Sequence, residues 1–128
     1  MPVPDCLDTE VEQHVSTEIR EWKQARLSSA FQPIYSLAHG REVGFEALLR
    51  GMHPEDGTLL PPDLFRRAAS TEQAHELDDL SCGLHVANFA RLRCRERWLF
   101  LNIQLDTFLH REALLGRMAA RLQALGID

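Results

Sequence analysis

Two apolar segments separated by a four-residue turn constrain this chain more than any other feature. Residues 30–37 and 42–50 read as strands, and Ala38-His39-Gly40-Arg41 between them offers Gly40 for a positive φ. So short a connection predicts an antiparallel pair, because parallel neighbours need a crossover of about a dozen residues. In the second strand the period of two places Val43, Phe45, Ala47 and Leu49 on one face. Gly44, Glu46, Leu48 and Arg50 fall on the other. Pro33 removes a ladder donor, so it demands an edge position or a bulge.

Around this hairpin the pattern mixes helices with strands. Residues 1–15 form a polar, acidic lead-in with little periodicity. A helix is expected over 16–27, capped by Ser16 or Thr17, with Ile19, Trp22 and Arg26 or Leu27 as its stripe. After a loop over 52–58, Pro61-Pro62-Asp63 opens a short helix ending near Ala69. A longer helix is expected over 74–93, burying Leu77, Leu80, Leu84 and Ala87. Residues 98–103 form a third strand, apolar on both faces except for Asn102, as in a strand covered on both sides. Asp106 or Thr107 opens the last helix, striped by Leu115, Met118, Leu122 and Leu125 and stopped by Gly126. The order strand–strand–helices–strand–helix indicates an α/β fold with crossover units.

Composition excludes several functions. A formal charge of −5 and a lone lysine, Lys23, give no electrostatic footprint for nucleic acid. Arg91, Arg93, Arg95 and Arg97 read as a solvated helix end, where cations suit the dipole. Cys6, Cys82 and Cys94 share neither metal-ligand nor disulfide spacing, which suggests reduced thiols and a cytoplasmic setting. No apolar run approaches the ~18 residues of a membrane span, so no membrane association is expected.

Chemistry concentrates at the hairpin and the third strand. Glu46 stands among apolar residues and needs its charge compensated, either by Arg50 on the same face or by a hard cation such as Mg²⁺. Asn102 is either an amide bonded to a neighbouring loop or a neutral oxygen ligand. Gln32 is either an ordinary edge residue or part of the same site. The six histidines show no ligand spacing; Cys82 and His85 on one helix fit core packing, and His53 before Pro54 fits a turn.

Taken together these residues resemble the EAL domain, the family of cyclic-di-GMP phosphodiesterases. Phe31-Gln-Pro-Ile resembles the family's opening Y-Q-P-I strand, and Glu46-Ala-Leu-Leu-Arg50 its signature strand. His53-Pro54, Gly57, Pro61, Phe65 and Ala68-Ala69 are similar to the loop and helix that follow. Leu77-Asp78 resembles the next helix, and Leu101-Asn102-Ile103 the V-N-I/L-S strand. The resemblance runs over 27–128, leaving 1–26 as lead-in and helix. It implies a modified TIM (β/α)8 barrel whose first strand is antiparallel to the second. It also implies hydrolysis of cyclic di-GMP to pGpG with two Mg²⁺ or Mn²⁺ ions. On that footing Glu46 and Asn102 are metal ligands, Gln32, Leu48 and Arg50 bind substrate, and Arg50 meets phosphate.

Departures at Gly51, Ser70 and Gln104 are minor. The family's later E-x-x-E, Asp-Asp pair, lysine and glutamate do not occur, so the resemblance covers only the N-terminal half. The expected reading is part of a phosphodiesterase, a short stand-alone one given the early Met1, that is inactive as an isolated chain. The alternative is a non-catalytic module that binds cyclic di-GMP or a protein partner. Unpaired strand edges beside 98–103 should also make the chain self-associate. Sedimentation of the purified chain should show homo-oligomers; a monodisperse monomer that melts cooperatively would contradict this.

Overall fold

The computed structural model describes residues 13–92 and 96–127. Of the lead-in expected over 1–15, residues 1–12 (with Cys6) lie outside the described residues, as do Arg93, Cys94, Arg95 and Asp128, while 13–15 belong instead to the first strand. Among the described residues nine elements follow in order: β1 (Gln13–Trp22), β2 (Ala25–Ser36), β3 (Arg41–His53), β4 (Gly57–Leu59), α1 (Pro61–Arg66), α2 (Thr71–Arg91), β5 (Trp98–Leu101), α3 (Leu105–Leu109) and α4 (Glu112–Ala124).

β3 organises the sheet. Along one edge it pairs antiparallel with β2, from Arg26↔Met52 to Ser36↔Arg41. Its other edge is shared: β5 lies parallel beside Gly44–Ala47, and β4 pairs antiparallel with Gly51–His53. The expected hairpin is present, and Gly40 takes φ +62° in its turn. Pro33 sits opposite Phe45, and the register shifts just beyond it between Ile34 and Tyr35, which is the irregularity a strand proline requires.

The helix expected over 16–27 is replaced by a hairpin of β1 and β2. Its turn is Lys23-Gln24, both at positive φ (46° and 66°), the two-residue geometry that matches strand twist. Lys-Gln carries none of the usual Asn-Gly signal for such a turn, and a register shift between Val15 and Arg20 breaks the alternation that would mark β1. Both signals of a strand are therefore absent from the local sequence.

Other departures are smaller. The loop over 52–58 is instead the end of β3, a turn and β4. Its reversal uses His53 as expected: Nδ1 accepts from the amides of Glu55 and Asp56, each at 3.2 Å. α2 starts earlier than its apolar stripe, because Ser70 Oγ accepts from the Gln73 amide while Gln73 Oε1 accepts from that of Ala69. The last helix is two, α3 and α4, with Gln104 as the N-cap of the first. α4 buries Leu114 and Met118, while Leu115 and Leu125 are exposed. Gly126 does terminate it at positive φ.

α2 lies across the face of the sheet that carries Phe31, Phe45, Ala47 and Leu49. One cluster joins Trp22, Ala25, Leu27, Leu49, Leu64, Leu77 and Leu84. A second stacks Val15, Phe31, Phe45 and Ala47 on Phe89, with the Phe31 and Phe89 rings 5.6 Å apart. α4 packs on the outer side of α2 through Cys82, Val86, Leu114 and Met118. Asp79 fastens the two helices by accepting from Arg117 Nε (2.8 Å) and Arg121 Nη1 (3.1 Å).

The opposite face of the sheet is open. β5 was expected to be covered on both sides, yet Trp98 is 71% exposed and Phe100 39%. Alternation turns these two rings to the open face, while Leu99 and Leu101 face the helices. Nor is Arg97 part of a solvated helix end. It precedes β5 and donates through Nε (2.9 Å) and Nη2 (2.5 Å) to Glu42, holding that carboxyl below its usual range and pinning the start of β5 to the start of β3.

The parallel contact of β3 with β5 depends on Gly44. A Cβ there would stand 2.4 Å from the Trp98 carbonyl oxygen, a backbone atom held by the ladder. Gly44→Ala should therefore destabilise the protein by about 1–3 kcal/mol, as overpacking does. A lower urea midpoint at unchanged slope is the expected reading; an unchanged midpoint would show that β5 shifts freely.

Candidate functional site on the open sheet face

All five residues singled out in the sequence share the open face by strand alternation. Gln32 stands directly opposite Glu46 in the β2–β3 register. Glu46 is in turn level with Phe100 of β5. Asn102, just past the end of β5, donates from Nδ2 to Glu46 Oε1 at 2.8 Å. Residues 56 apart in sequence thus meet because β5 enters the sheet parallel to β3. Arg50 lies on the same face, four residues along from Glu46, with Nη1 on the Leu49 carbonyl at 3.0 Å. Leu48, with Ala47 and Leu49 in the middle of β3, lines a small cavity of about 140 Å³ together with Asp78, His85, Asn102 and Gln104.

Both functional groups at the centre of this face carry oxygen. Glu46 is half-buried and Asn102 exposed. A carboxylate and an amide oxygen form a donor pair for a hard divalent cation. The Asn102 amide now presents nitrogen to the carboxylate; turning it by half a revolution presents oxygen instead, within the same space.

Beneath the site lies a polar layer that apolar periodicity did not reveal. Asp78, Ser81, His85 and Asn88 are buried on the inner side of α2. Asp78 Oδ2 accepts from the Gln104 amide at 3.0 Å, which holds the segment following Asn102. Burial pushes the Asp78 carboxyl above its ordinary range, partly offset by the Thr107 hydroxyl and the Gln104 amide. The Leu77-Asp78 pair is legible in the sequence; its bond to a backbone amide 26 residues away is not.

Asn88 repairs the weak point of β1. Its Oδ1 accepts from the Glu18 amide (2.7 Å) and its Nδ2 donates to the Glu18 carbonyl (3.2 Å). Glu18 lies within the stretch where the β1–β2 register shifts, so the side chain replaces ladder bonds lost there. Nδ2 also donates to Ser29 Oγ (3.0 Å), which is 2.7 Å from His85 Nδ1. With Ser29 accepting from Asn88, its own proton is free to bond His85 Nδ1, which suits a neutral imidazole. Cys82 and His85 belong to the core as expected; burial raises the Cys82 thiol to about 12.

The model of the EAL domain family matches residues 13–128. The chain belongs to the EAL domain family. Two solved structures of Klebsiella pneumoniae BlrP1 share its fold. One, with FMN and cyclic diGMP and no metal ions, aligns with a TM-score of 0.63 and 23% identity over 92% of this chain and 30% of that one. The other, a manganese/cy-diGMP complex at pH 6, aligns at 0.64 and 22% over 98% of this chain and 31% of that one. The chain therefore spans less than a third of the BlrP1 chains it matches. None of the curated proteins matches it. The EAL fold, a modified TIM barrel with one antiparallel strand pair at its start, accounts for the mixed β2–β3–β5 sheet. Among the described residues no helix is long and apolar enough to cross a membrane.

The buried imidazole sets a pH dependence. Burial, and then the nearby Arg50 charge, lowers His85 from 6.5 to about 4. Between those values the unfolded chain takes up a proton that the folded one refuses. Stability present above pH 6.5 is thus lost as pH falls toward 4. From pH 7 to 5 the loss attributable to His85 is about 2 kcal/mol. His85→Gln should flatten the pH dependence of urea unfolding by that amount; parallel profiles for the two proteins would refute it.

Proposed function

We propose that this EAL domain is the N-terminal part of a cyclic-di-GMP phosphodiesterase module, with the open sheet face as its substrate side. The contact between Asn102 and Glu46 carries the reading. It joins an amide and a carboxylate across β3 and β5, on the face that also presents Gln32 and Arg50. The two BlrP1 structures support the ligand, since both contain cyclic diGMP and one contains manganese.

In this reading Glu46 and the Asn102 amide oxygen hold a Mg²⁺ or Mn²⁺ ion. Such an ion supplies Lewis acidity for phosphodiester hydrolysis. Arg50 offers a guanidinium fork for a phosphate oxygen pair. Gln32, opposite Glu46, offers an amide to the substrate edge, and Leu48 gives the site an apolar wall. Exposed Trp98 and Phe100 rings, 6.0 Å apart, flank the carboxylate from β5. Two oxygen ligands are too few to fix the two ions of a two-metal mechanism, so residues 1–128 by themselves should bind rather than hydrolyse. A cytoplasmic location, as for other consumers of a soluble nucleotide, belongs to the same proposal.

Titration calorimetry of the chain with cyclic di-GMP and Mn²⁺ tests this. Arg50→Ala should weaken binding about 10-fold or more, corresponding to a lost charge-assisted phosphate contact. Glu46→Ala should abolish the effect of Mn²⁺ while leaving residual nucleotide binding. Affinity indifferent to both substitutions would remove the open face as the site. Steady turnover to pGpG by the isolated chain would overturn the ligand-count argument while keeping the substrate.

A further inference from the structure

A second cluster of ligating side chains lies away from Glu46, at the junction of α2 and α3. His75, in the second turn of α2, brings Nε2 to 2.5 Å from Asp106 Oδ2. His110, the residue that ends α3, has Nδ1 4.0 Å from the same oxygen. The two imidazole centroids are 5.7 Å apart. One donor atom from each of the three residues lies within 4.8 Å of the others. We propose that His75, Asp106 and His110 form a binding site for a borderline transition-metal dication of the Zn²⁺ class, separate from the oxygen-ligand face.

The donor set separates the two sites chemically. Two imidazoles and one carboxylate favour zinc, nickel or copper, whereas Glu46 and Asn102 offer only oxygen and favour magnesium or manganese. Zinc bonds of about 2.0–2.2 Å in a tetrahedron need donors roughly 3.3 Å apart. The distances of 2.5 and 4.0 Å to Asp106 straddle that value. Small rotations of side chains that are exposed or half-exposed reach it without disturbing the core.

The backbone around the cluster is already held. Gln104, two residues before Asp106, is bound through its amide to buried Asp78. His110 Nδ1 lies 2.9 Å from the Asp106 carbonyl, a hydrogen bond that has to break before this nitrogen can ligate a cation. The α3 turn brings Asp106 and His110 four residues apart on one side, and His75 arrives from α2 across 31 residues. Three protein ligands leave the fourth position to water. A dication here would replace the hydrogen-bonded proton between His75 and Asp106 and tie the segment after Asn102 to α2. Proton release should accompany binding.

The test is calorimetry of the untagged full chain with ZnCl₂, in two buffers of different ionisation enthalpy. One zinc per chain, with proton release and a raised melting temperature, is expected. The double variant His75→Ala/His110→Ala should bind at least about tenfold more weakly, while Glu46→Ala/Asn102→Ala should bind zinc as tightly as the parent. Co²⁺ should give the visible bands of a four-coordinate site in the parent and lose them in the histidine variant. Circular dichroism establishes that each variant is folded, as surface substitutions permit. Absence of zinc binding by the parent, or equal binding by the histidine variant, overturns the proposal. Neither outcome bears on cyclic-di-GMP binding.

Discussion

Everything distinctive about this domain rests on the parallel pairing of β5 with Gly44–Ala47 of β3. β2 and β3 form a local hairpin and need no help to find each other. β5 is separated from β3 by a crossover containing β4, α1 and α2, so its placement closes a long loop at an entropic cost. That closure becomes favourable because α2, buried between the sheet and α4, covers the inner faces of β2, β3 and β5 at once. Gly44 then sets how near the two backbones stand, since the Trp98 carbonyl occupies the space a side chain would need. The Glu42–Arg97 pair fixes the same junction at its lower end.

The two faces of the sheet serve different purposes. The inner face is apolar at Phe31, Phe45, Ala47 and Leu49, but the helix covering it carries Asp78, Ser81, His85 and Asn88. Each of these is satisfied by a specific partner; Ser81 bonds within α2, while Asp78, His85 and Asn88 act as registers between α2 and its neighbours. Asn88 holds a bulged β1, and Asp78 holds the segment leaving β5. The outer face gathers Gln32, Glu46, Arg50 and Asn102, with Trp98 and Phe100 beside them. Aromatic surface this exposed on a strand without a second neighbour among the described residues is what remains when a barrel interior is viewed from its open side.

A division of labour between cations would follow from the same geometry. In the proposed sites, an all-oxygen pair on the sheet face and a two-imidazole, one-carboxylate set at the α2–α3 junction would select different metals by softness rather than by affinity alone. They are also mechanically connected, because Asn102, Gln104 and Asp106 occupy one short segment. Fixing its far end would limit the motion of Asn102 relative to Glu46, which is how a remote ligand can influence a site it does not touch.

Local sequence determined the β2–β3 hairpin, the Gly40 turn, the two faces of β3, the capping of α4 by Gly126 and the turn role of His53. These depend on alternation, glycine and short-range hydrogen bonds, all of which are written in neighbouring residues. The family resemblance pointed to Glu46, Asn102, Gln32, Leu48 and Arg50 by type and order. Tertiary structure alone decided that residues 13–22 are a strand, because a bulge erased their alternation and Asn88, 70 residues away, supplies the missing bonds. It alone turned Trp98 and Phe100 outward, split the last helix at His110 and brought His75 to Asp106. Each of those outcomes depends on a partner distant in sequence, and periodicity carries no information about which distant group will satisfy a given polar atom.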